Sequence, residues 1–490
     1  MSAKTSEPNW SNQTIWTGDN IDIMRGMNTA SVDLIYLDPP FNSKANYAAP
    51  IGSKAAGAAF KDTWTLTDVD VEWINLIEAK HPALHRVLLA ALTASDKSYL
   101  AYMAVRLLEM RRILKPVGSI YLHCDPTMSH HLKLIMDAIF GHKAFRTDIT
   151  WKRGSAHSDT KQGRRQHGRI HDVLLFYTAG KTWTWNPQYT PYTEEYLEEE
   201  YRHVTEGGRR FKQADLTAAK PGGDTEYEWR VKRSFDQSEW EADIADEYRR
   251  PINGWEYKAV LPYKGRYWAY SKENMRQFWS EGRLFHRNTG MPRLMLFSDE
   301  MSGIPLQDLW IDISPALGKQ RTGYPTQKPL SLLYRIIETS SNQGDIVLDP
   351  FTGCATACIA AEQLNRQWVG IDISPKAAEL VERRMRDELG LFYRGARRTD
   401  IPHRTDLGKL PRYNCPENRT QLYGQQEGHC AGCDEHFEAR HLEVDHVISR
   451  RKGGTNHIDN LQLLCGSCNR IKGDRGMEYL MAKLQLPKSM

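Results

Sequence analysis

The chain has 490 residues, enough for two or three domains, and its 40% hydrophobic and 26% charged content is ordinary for a soluble protein. No run approaches the roughly 18 apolar residues that cross a bilayer, and the start, MSAKTSEPNWSNQT, lacks the apolar core of a secretion signal, so no membrane partner and a cytoplasmic location are expected. With 65 Lys and Arg against 61 Asp and Glu, the net charge of +4 does not argue for a nucleic-acid partner, and local clusters must carry that case.

Residues 1–15 read as a flexible lead-in. Ile15-Trp16 is a short apolar stretch ended by Gly18-Asp19, and a helix is predicted from Ile21 to about Met27, with Asp19 suited to its N-cap. Val32 to Leu37 (VDLIYL) reads as a buried strand. It must stop at Asp38-Pro39-Pro40-Phe41, because two prolines cannot donate to a sheet ladder. The result is a stiff loop at the carboxyl edge of the predicted sheet, where open α/β folds bind ligands. Its carboxylate, its carbonyls and its ring suit a planar exocyclic amine, and a base in a duplex reaches such a loop only by flipping out.

This tetrapeptide resembles the DPP(Y/F) motif of amino-type DNA methyltransferases, which methylate adenine N6 or cytosine N4. The resemblance implies that Asp38, Pro39, Pro40 and Phe41 hold the target amine in double-stranded DNA. It also implies that Asp19, in a Gly-Asp pair at the family's distance before the motif, lies near the adenine of S-adenosylmethionine.

Residues 42–64, rich in Ala, Gly, Ser and Lys, read as a mobile loop beside this site, able to close over DNA or a flipped base. A helical stretch is expected from about Asp70 to Ala94, and a helix from Tyr99 to Leu114. A Lys115-Pro116-x-Gly118 turn then leads to a strand over 120–124. Met128 to Ile139 is a further predicted helix, whose His130 and His131 suit surface or core better than a ligand set. Residues 151–171 carry nine Lys, Arg or His side chains and few acids, which suits phosphate contact as well as a solvated loop. Asp172 to Tyr177 returns to the sheet. The stretch from about Trp183 to Met301 has no α/β rhythm and interleaves Trp, Tyr, Arg and Lys, as in PYKGRYWAYS (262–271). It is read as a target-recognition insert using basic and polar groove contacts.

The α/β rhythm resumes at Pro325-Thr326-Gln327-Lys328-Pro329, with a helix predicted over Leu330–Ser341. Asp345–Asp349 is a strand, Pro350-Phe351-Thr352-Gly353 a turn, a helix of small residues follows, and a second strand ends at Gly370-Ile371-Asp372. Strand, Gly-containing turn, helix, strand and acid form the nucleotide-binding arrangement of a doubly wound sheet. The stretch resembles the methyltransferase motif DPFxGxGT, with Ala355 in place of the second glycine. The resemblance assigns Asp349, Phe351, Gly353 and Thr356 to the cofactor pocket, Asp372 to its ribose, and Gln327 and Lys328 to the element preceding the motif. DPPF first, recognition insert next and cofactor half last is the order of the β group of amino methyltransferases. The DPP form leans toward adenine, since many cytosine-N4 enzymes carry SPP.

Residues 394–420, basic with Pro and Gly, read as a linker. Of the eight cysteines, Cys430, Cys433, Cys465 and Cys468 form two C-x-x-C pairs, the ligand set of a tetrahedral Zn2+ in a reducing compartment. Cys124, Cys354 and Cys358 are expected to be small packing residues. Between the pairs stand Asp445-His446 and Asn460-Leu461-Gln462, with Asn469 beyond. This module resembles the HNH endonuclease family. The resemblance makes His446 the general base, Asp445 and Asn469 the ligands of Mg2+ or Mn2+, and Asn460 the residue orienting the loop that carries His446. It also places Arg450, Arg451, Lys452, Arg470 and Lys472 on phosphate.

The expected fold is α/β: a Rossmann-like methyltransferase with an inserted recognition region, plus a small ββα-metal HNH domain with structural zinc. The expected domains are 12–180 (DPPF half), 181–320 (recognition insert), 321–393 (cofactor half), 394–420 (linker) and 421–490 (nuclease). The expected function is site-specific adenine-N6 methylation from S-adenosylmethionine combined with metal-dependent DNA cleavage, in restriction–modification or anti-phage defence. A homodimer or additional restriction subunits are possible partners. The alternative is a solitary adenine-N6 or cytosine-N4 methyltransferase whose zinc module only binds DNA.

Overall fold

The structure, a computed structural model, describes residues 5–42, 45–48, 59–62, 74, 77–78, 81–154, 165, 167–235, 239–242, 254–316, 324, 327–390 and 393–485. It divides into two compact units, one of Met1–Asn186 with Gln307–Met490 and one of Pro187–Leu306.

In the first unit, nine strands among the described residues form one mixed sheet. They are β1 (Thr14–Thr17), β2 (Val32–Leu37), β3 (Leu114–Cys124), β4 (Phe145–Lys152), β5 (His171–Thr178), β6 (Leu309–Trp310), β7 (Ile346–Asp349), β8 (Gln367–Asp372) and β9 (Ala396–Arg398). Their order is β6-β4-β5-β3-β2-β7-β8-β1-β9, and every neighbouring pair is parallel except the two made by β5. β2 and β7 are buried along their whole length, which is why they read as near-continuous apolar runs. The helices α1 (Asn20–Gly26), α2 (Pro82–Leu89), α3 (Ala94–Ile113) and α4 (Ser129–Phe140) share one core with Ile35 and Leu37 of β2. Each such side chain contributes about 1.5–3 kcal/mol on leaving water. The alternate residues Leu34 and Tyr36 point to the other face. α5 (Leu330–Ser340) and α6 (Thr356–Gln363) pack on one another, and α7 (Pro375–Leu389) packs on β1 and β8. Leaving β2, the sheet grows toward β3 on one side and β7 on the other, so the crevice between β2 and β7 is a topological switch point.

Several expectations need correcting. The Lys115-Pro116-x-Gly118 turn is absorbed into β3, which runs straight on from α3 and breaks register against β2 between Val32 and Leu34. A Cβ at Gly118 would meet Asp33 O at 2.7 Å, so the close approach of the two backbones needs glycine there. The helical stretch around 70–94 is interrupted: α2 ends at Leu89 and α3 starts anew at Ala94 behind the N-cap Thr93. Of the loop at 42–64, the described part pairs Ala45–Ala48 with Ala59–Asp62, and the remainder lies outside the described residues apart from Asn42. Most of the basic stretch 151–171 between Gly154 and His167 also lies outside them.

The linker is part of the fold. Its Ala396–Arg398 forms β9 on the edge of the main sheet, and Arg404 and Asp406 pair with each other while bonding Thr29. A Cβ at Gly26 of α1 would run into Pro402 O. Beyond it, the carboxyl-terminal module has its own core. It comprises α8 (Pro416–Gln425), the antiparallel pair β10 (Leu442–His446) and β11 (Leu461–Cys465), α9 (Gly466–Lys472) and α10 (Met477–Gln485). The turn Arg450–Lys452 lies on α1, and a Cβ at Gly453 would meet Asp22 O at 2.9 Å.

The second unit, Pro187–Leu306, lies inside the bounds expected of the insert. It holds a four-stranded and a three-stranded antiparallel sheet around Trp229, Trp268, Met275 and Leu294. Trp268, one of the interleaved aromatics of 262–271, is fully buried and donates to Tyr227 O. Trp229 Nε1 donates to His286 Nε2 at 3.0 Å, and burial pushes His286 down to about 4, which keeps that nitrogen an acceptor.

Candidate active sites

The parallel strands β1, β2, β7 and β8 end on one edge of the sheet, and each is followed or closed by an acid: Asp19, Asp38, Asp349 and Asp372. Register brings Thr17 beside Asp372 and Asp349 beside Gly370. Together they line one cavity of about 440 Å3. All twelve residues assigned above to the amine loop and the cofactor line it: Asp19, Asp38, Pro39, Pro40, Phe41, Gln327, Lys328, Asp349, Phe351, Gly353, Thr356 and Asp372. Residues from distant parts of the sequence thus meet at the switch point.

Asp38 is held by Lys328, whose Nζ lies 2.8 and 2.7 Å from the two carboxylate oxygens. The same ammonium sits 5.1 Å from the Phe41 ring centre, so one buried cation touches both parts of the amine loop. Asp19 accepts from Ile21 N as an N-cap and from Arg106 as an ion pair, so capping and cavity lining coexist. Asp349 is fully enclosed. Burial pushes its carboxyl well above the usual range, reinforced by Asp38 and Asp372 and only partly opposed by Phe351 N. Burial likewise lifts Asp372 to about 6, although Ser374 N and Gly353 N both donate to it.

The second glycine of the family motif is missing, and the structure shows where the cost falls. Ala355 has φ +65°, in the left-handed region, and is fully buried at the start of α6 without lining the cavity. The methyl group therefore strains the backbone by about 1 kcal/mol and leaves the ligand's approach clear. Cys124 and Cys358 are packing residues, as expected, whereas Cys354 is buried but reaches the cavity wall.

In the carboxyl-terminal module the four sulfurs of Cys430, Cys433, Cys465 and Cys468 lie within 4.8 Å of one another. Burial pushes the Cys430 thiol up, but the N–H groups of Cys465, Cys433 and Gly432 aimed at its sulfur outweigh this and bring it below its ordinary value. Four clustered sulfurs with N–H donors are the donor set of a structural zinc site. His446 is 9% exposed, its Nε2 3.0 Å from Asn456 Oδ1 and its ring 4.8 Å from that of Tyr413. Asn460 bonds Ile448 N and O and Thr455 O, tying down the loop that follows His446. Asp445 Oδ2 is taken by Lys472 (3.0 Å) and Gln462 (3.0 Å), while Asn469 Nδ2 donates to Glu443. Lys472 is wholly buried and also donates to His446 O, so it cannot contact phosphate as expected. Arg450, Arg451, Lys452 and Arg470 are exposed.

Residues 32–383 match the DNA methylase family, and residues 430–475 match the HNH endonuclease family. The chain belongs to the DNA methylase family. It carries an HNH endonuclease domain at its carboxyl end. The methylase is 28% identical over 429 residues to the type II methyltransferase M.EcaI of Enterobacter cloacae, covering 86% of this chain and 80% of that one. It is 25% identical over 372 residues to the type III restriction-modification enzyme StyLTI Mod subunit of Salmonella typhimurium, covering 72% of this chain and half of that protein. Among solved structures, the M1.HpyAVI–SAM complex is similar at a TM-score of 0.35 and 13% identity, over 76% of the methylase and 98% of that chain.

Sequence reasoning missed several residues of the methylase cavity. Arg106 of α3 is buried, stacks on Tyr102 at 3.3 Å and joins Asp19 to Asn20, which in turn donates to Pro350 O. Tyr36, Tyr102, Tyr324 and the exposed Ile373 also line the wall. A charged residue at a core-facing position of α3 was the available signal for Arg106; nothing in the sequence marks the others.

Proposed function

We propose that the methylase transfers a methyl group from S-adenosylmethionine to N6 of adenine in double-stranded DNA, and that its HNH domain cleaves DNA with a divalent metal. The observation that carries the first part is the convergence of Asp38 and Asp372 on one cavity. The Asp19–Arg106 and Asp38–Lys328 pairs account for both bases that line it, so the charge facing a cationic donor is that of Asp372 once ionised. When bound, that donor supplies a methyl group on a sulfonium, which needs positioning rather than activation. Asp372 accepts from ribose hydroxyls, Asp349 sits at the strand end beneath the Phe351–Gly353 turn, and Asp19 lies at the rim of the adenine. Asp38 and a proline carbonyl accept the amine hydrogens, leave the nitrogen lone pair free and stabilise the charge that develops on it. Phe41 stacks on the everted base. The aspartate of DPPF, where many cytosine-N4 enzymes carry serine, favours adenine. The Pro187–Leu306 unit reads the target sequence.

In the HNH domain the four cysteines hold zinc as a structural staple. Lys472 and Gln462 on Asp445 Oδ2 leave Oδ1, and the bond from Asn469 to Glu443 uses the amide nitrogen, not Oδ1. These hard oxygens suit Mg2+ or Mn2+, which would stabilise charge on a phosphate. His446 is the base, with Asn460 fixing its loop. The kinship with a type II methyltransferase and with a type III Mod subunit supports a cytoplasmic restriction–modification or defence role, with a second copy or restriction subunits as partners. A second reading, in which the module only binds DNA, is favoured by the burial of His446. Incubating unmethylated plasmid with the protein and Mg2+ or Mn2+ separates the two. Cleavage that His446→Ala abolishes while methyl transfer persists supports the nuclease, and intact plasmid with every metal and methylation state supports the second reading.

A further inference from the structure

Behind the amine loop lies a buried polar network. His123 of β3 is fully buried and stacks under Phe41, with ring centroids 5.8 Å apart and planes at 24°. Its Nδ1 is 2.9 Å from Tyr36 Oη on β2, and its Nε2 is 3.1 Å from Asp172 Oδ2 on β5. Trp151 of β4 meets the imidazole edge-on at 5.8 Å, and Arg153, just past β4, lies 3.3 Å from Asp172 Oδ1. The network therefore crosses four adjacent strands and ends at two residues, Tyr36 and Phe41, that line the cavity.

A phenol, an imidazole and a carboxylate buried together add little net stability over apolar residues of the same shape, while each costs about 1–3 kcal/mol if left unpaired. What such a network supplies is fixed geometry. We propose that His123 is a positioning residue for methyl transfer: held by Tyr36 and Asp172, it sets the plane of Phe41 and hence the plane of the base stacked on it. The inference rests on the reading that the target base stacks on Phe41. The amine must lie in line with the donor methyl, and a displacement of about 1 Å costs roughly a hundredfold in rate.

The test uses the full chain, unmethylated phage lambda DNA and tritiated S-adenosylmethionine. Tyr36→Phe removes one hydroxyl and keeps the ring, and Asp172→Asn keeps the shape of its side chain. Each is expected to lower the single-turnover rate about tenfold and His123→Asn about a hundredfold, with the dissociation constants for cofactor and DNA within about twofold of wild type. Should the His123 and Asp172 variants fail to fold, Tyr36→Phe alone decides. A Tyr36→Phe rate within twofold of wild type, or a loss explained by weaker cofactor binding, overturns the proposal. Asp38→Ala separates the two levels. If it is inactive while Tyr36→Phe is normal, only the positioning role fails; if it transfers methyl like wild type, the reading of the amine loop fails too.

Discussion

The cavity at the strand ends of the methylase and the HNH module each contain an aspartate held by a buried lysine, and the two pairs are built differently. Lys328 grips both oxygens of Asp38 at the wall of an open cavity, beside the ring on which a base would stack. Lys472, wholly buried, binds one oxygen of Asp445 together with the carbonyl of His446, pinning β10 to α9. A buried ion pair says little by itself about function. What separates these two is what else the lysine holds, the Phe41 ring at the cavity wall in one case and the backbone carbonyl of His446 in the other.

Several changes would break or sharpen that contrast. The largest effect is expected from Cys465→Ser, which removes one of the four clustered thiols proposed to hold zinc. Structural zinc supplies about 10–16 kcal/mol of folding free energy in small modules, so the HNH domain should lose its metal and its fold while methyl transfer survives; zinc content and limited proteolysis report this. Lys472→Met leaves Asp445 without its cation, and should destabilise the same module by about 3–5 kcal/mol, read by denaturant unfolding. Lys328→Met should act on rate instead, slowing methyl transfer by about a hundredfold at nearly unchanged melting temperature, because its aspartate can recruit water in the cavity. If Lys328→Met unfolds the protein while Lys472→Met does not, the contrast is reversed.

A smaller effect concerns pH. In the proposed reading, ribose hydroxyls would donate to the ionised form of Asp372, whose carboxyl burial has lifted to about 6. Cofactor affinity should therefore be full above pH 6 and fall by up to about tenfold per unit below it, measured by titration calorimetry. Stability runs the other way. A raised carboxyl pKa contributes stability that is complete below the unfolded value of 3.8 and lost as pH rises through about 6. The smallest effect is Ala355→Gly, which should add about 1 kcal/mol of stability by relieving a left-handed alanine, with cofactor affinity unchanged.

Where a residue follows the end of a buried parallel strand, its place can be read from sequence alone. Asp38, Asp349 and Asp372 each close or follow an apolar run, and strand order does the rest. Arg106 cannot be placed in this way, because it sits inside a helix whose spacing reads as core. His123 reads as one more residue of a strand, since its partners Tyr36 and Asp172 come from other strands and only pairing brings them together. The stretch 394–420 reads as a linker because a three-residue strand of Ala and Arg carries no apolar signal; its place depends on the open edge of β1. Asp445, His446 and Lys472 are legible as motif positions, but not that the lysine turns inward from α9 to hold the other two.

The central claim is that Asp38 presents the exocyclic amine of an everted adenine to S-adenosylmethionine. The most direct measurement is digestion to nucleosides of unmethylated DNA treated with the protein and the donor, followed by mass spectrometry. The account predicts N6-methyldeoxyadenosine, absent when Asp38→Ala replaces the wild-type protein. N4-methyldeoxycytidine, or no methylated nucleoside at all, would contradict it.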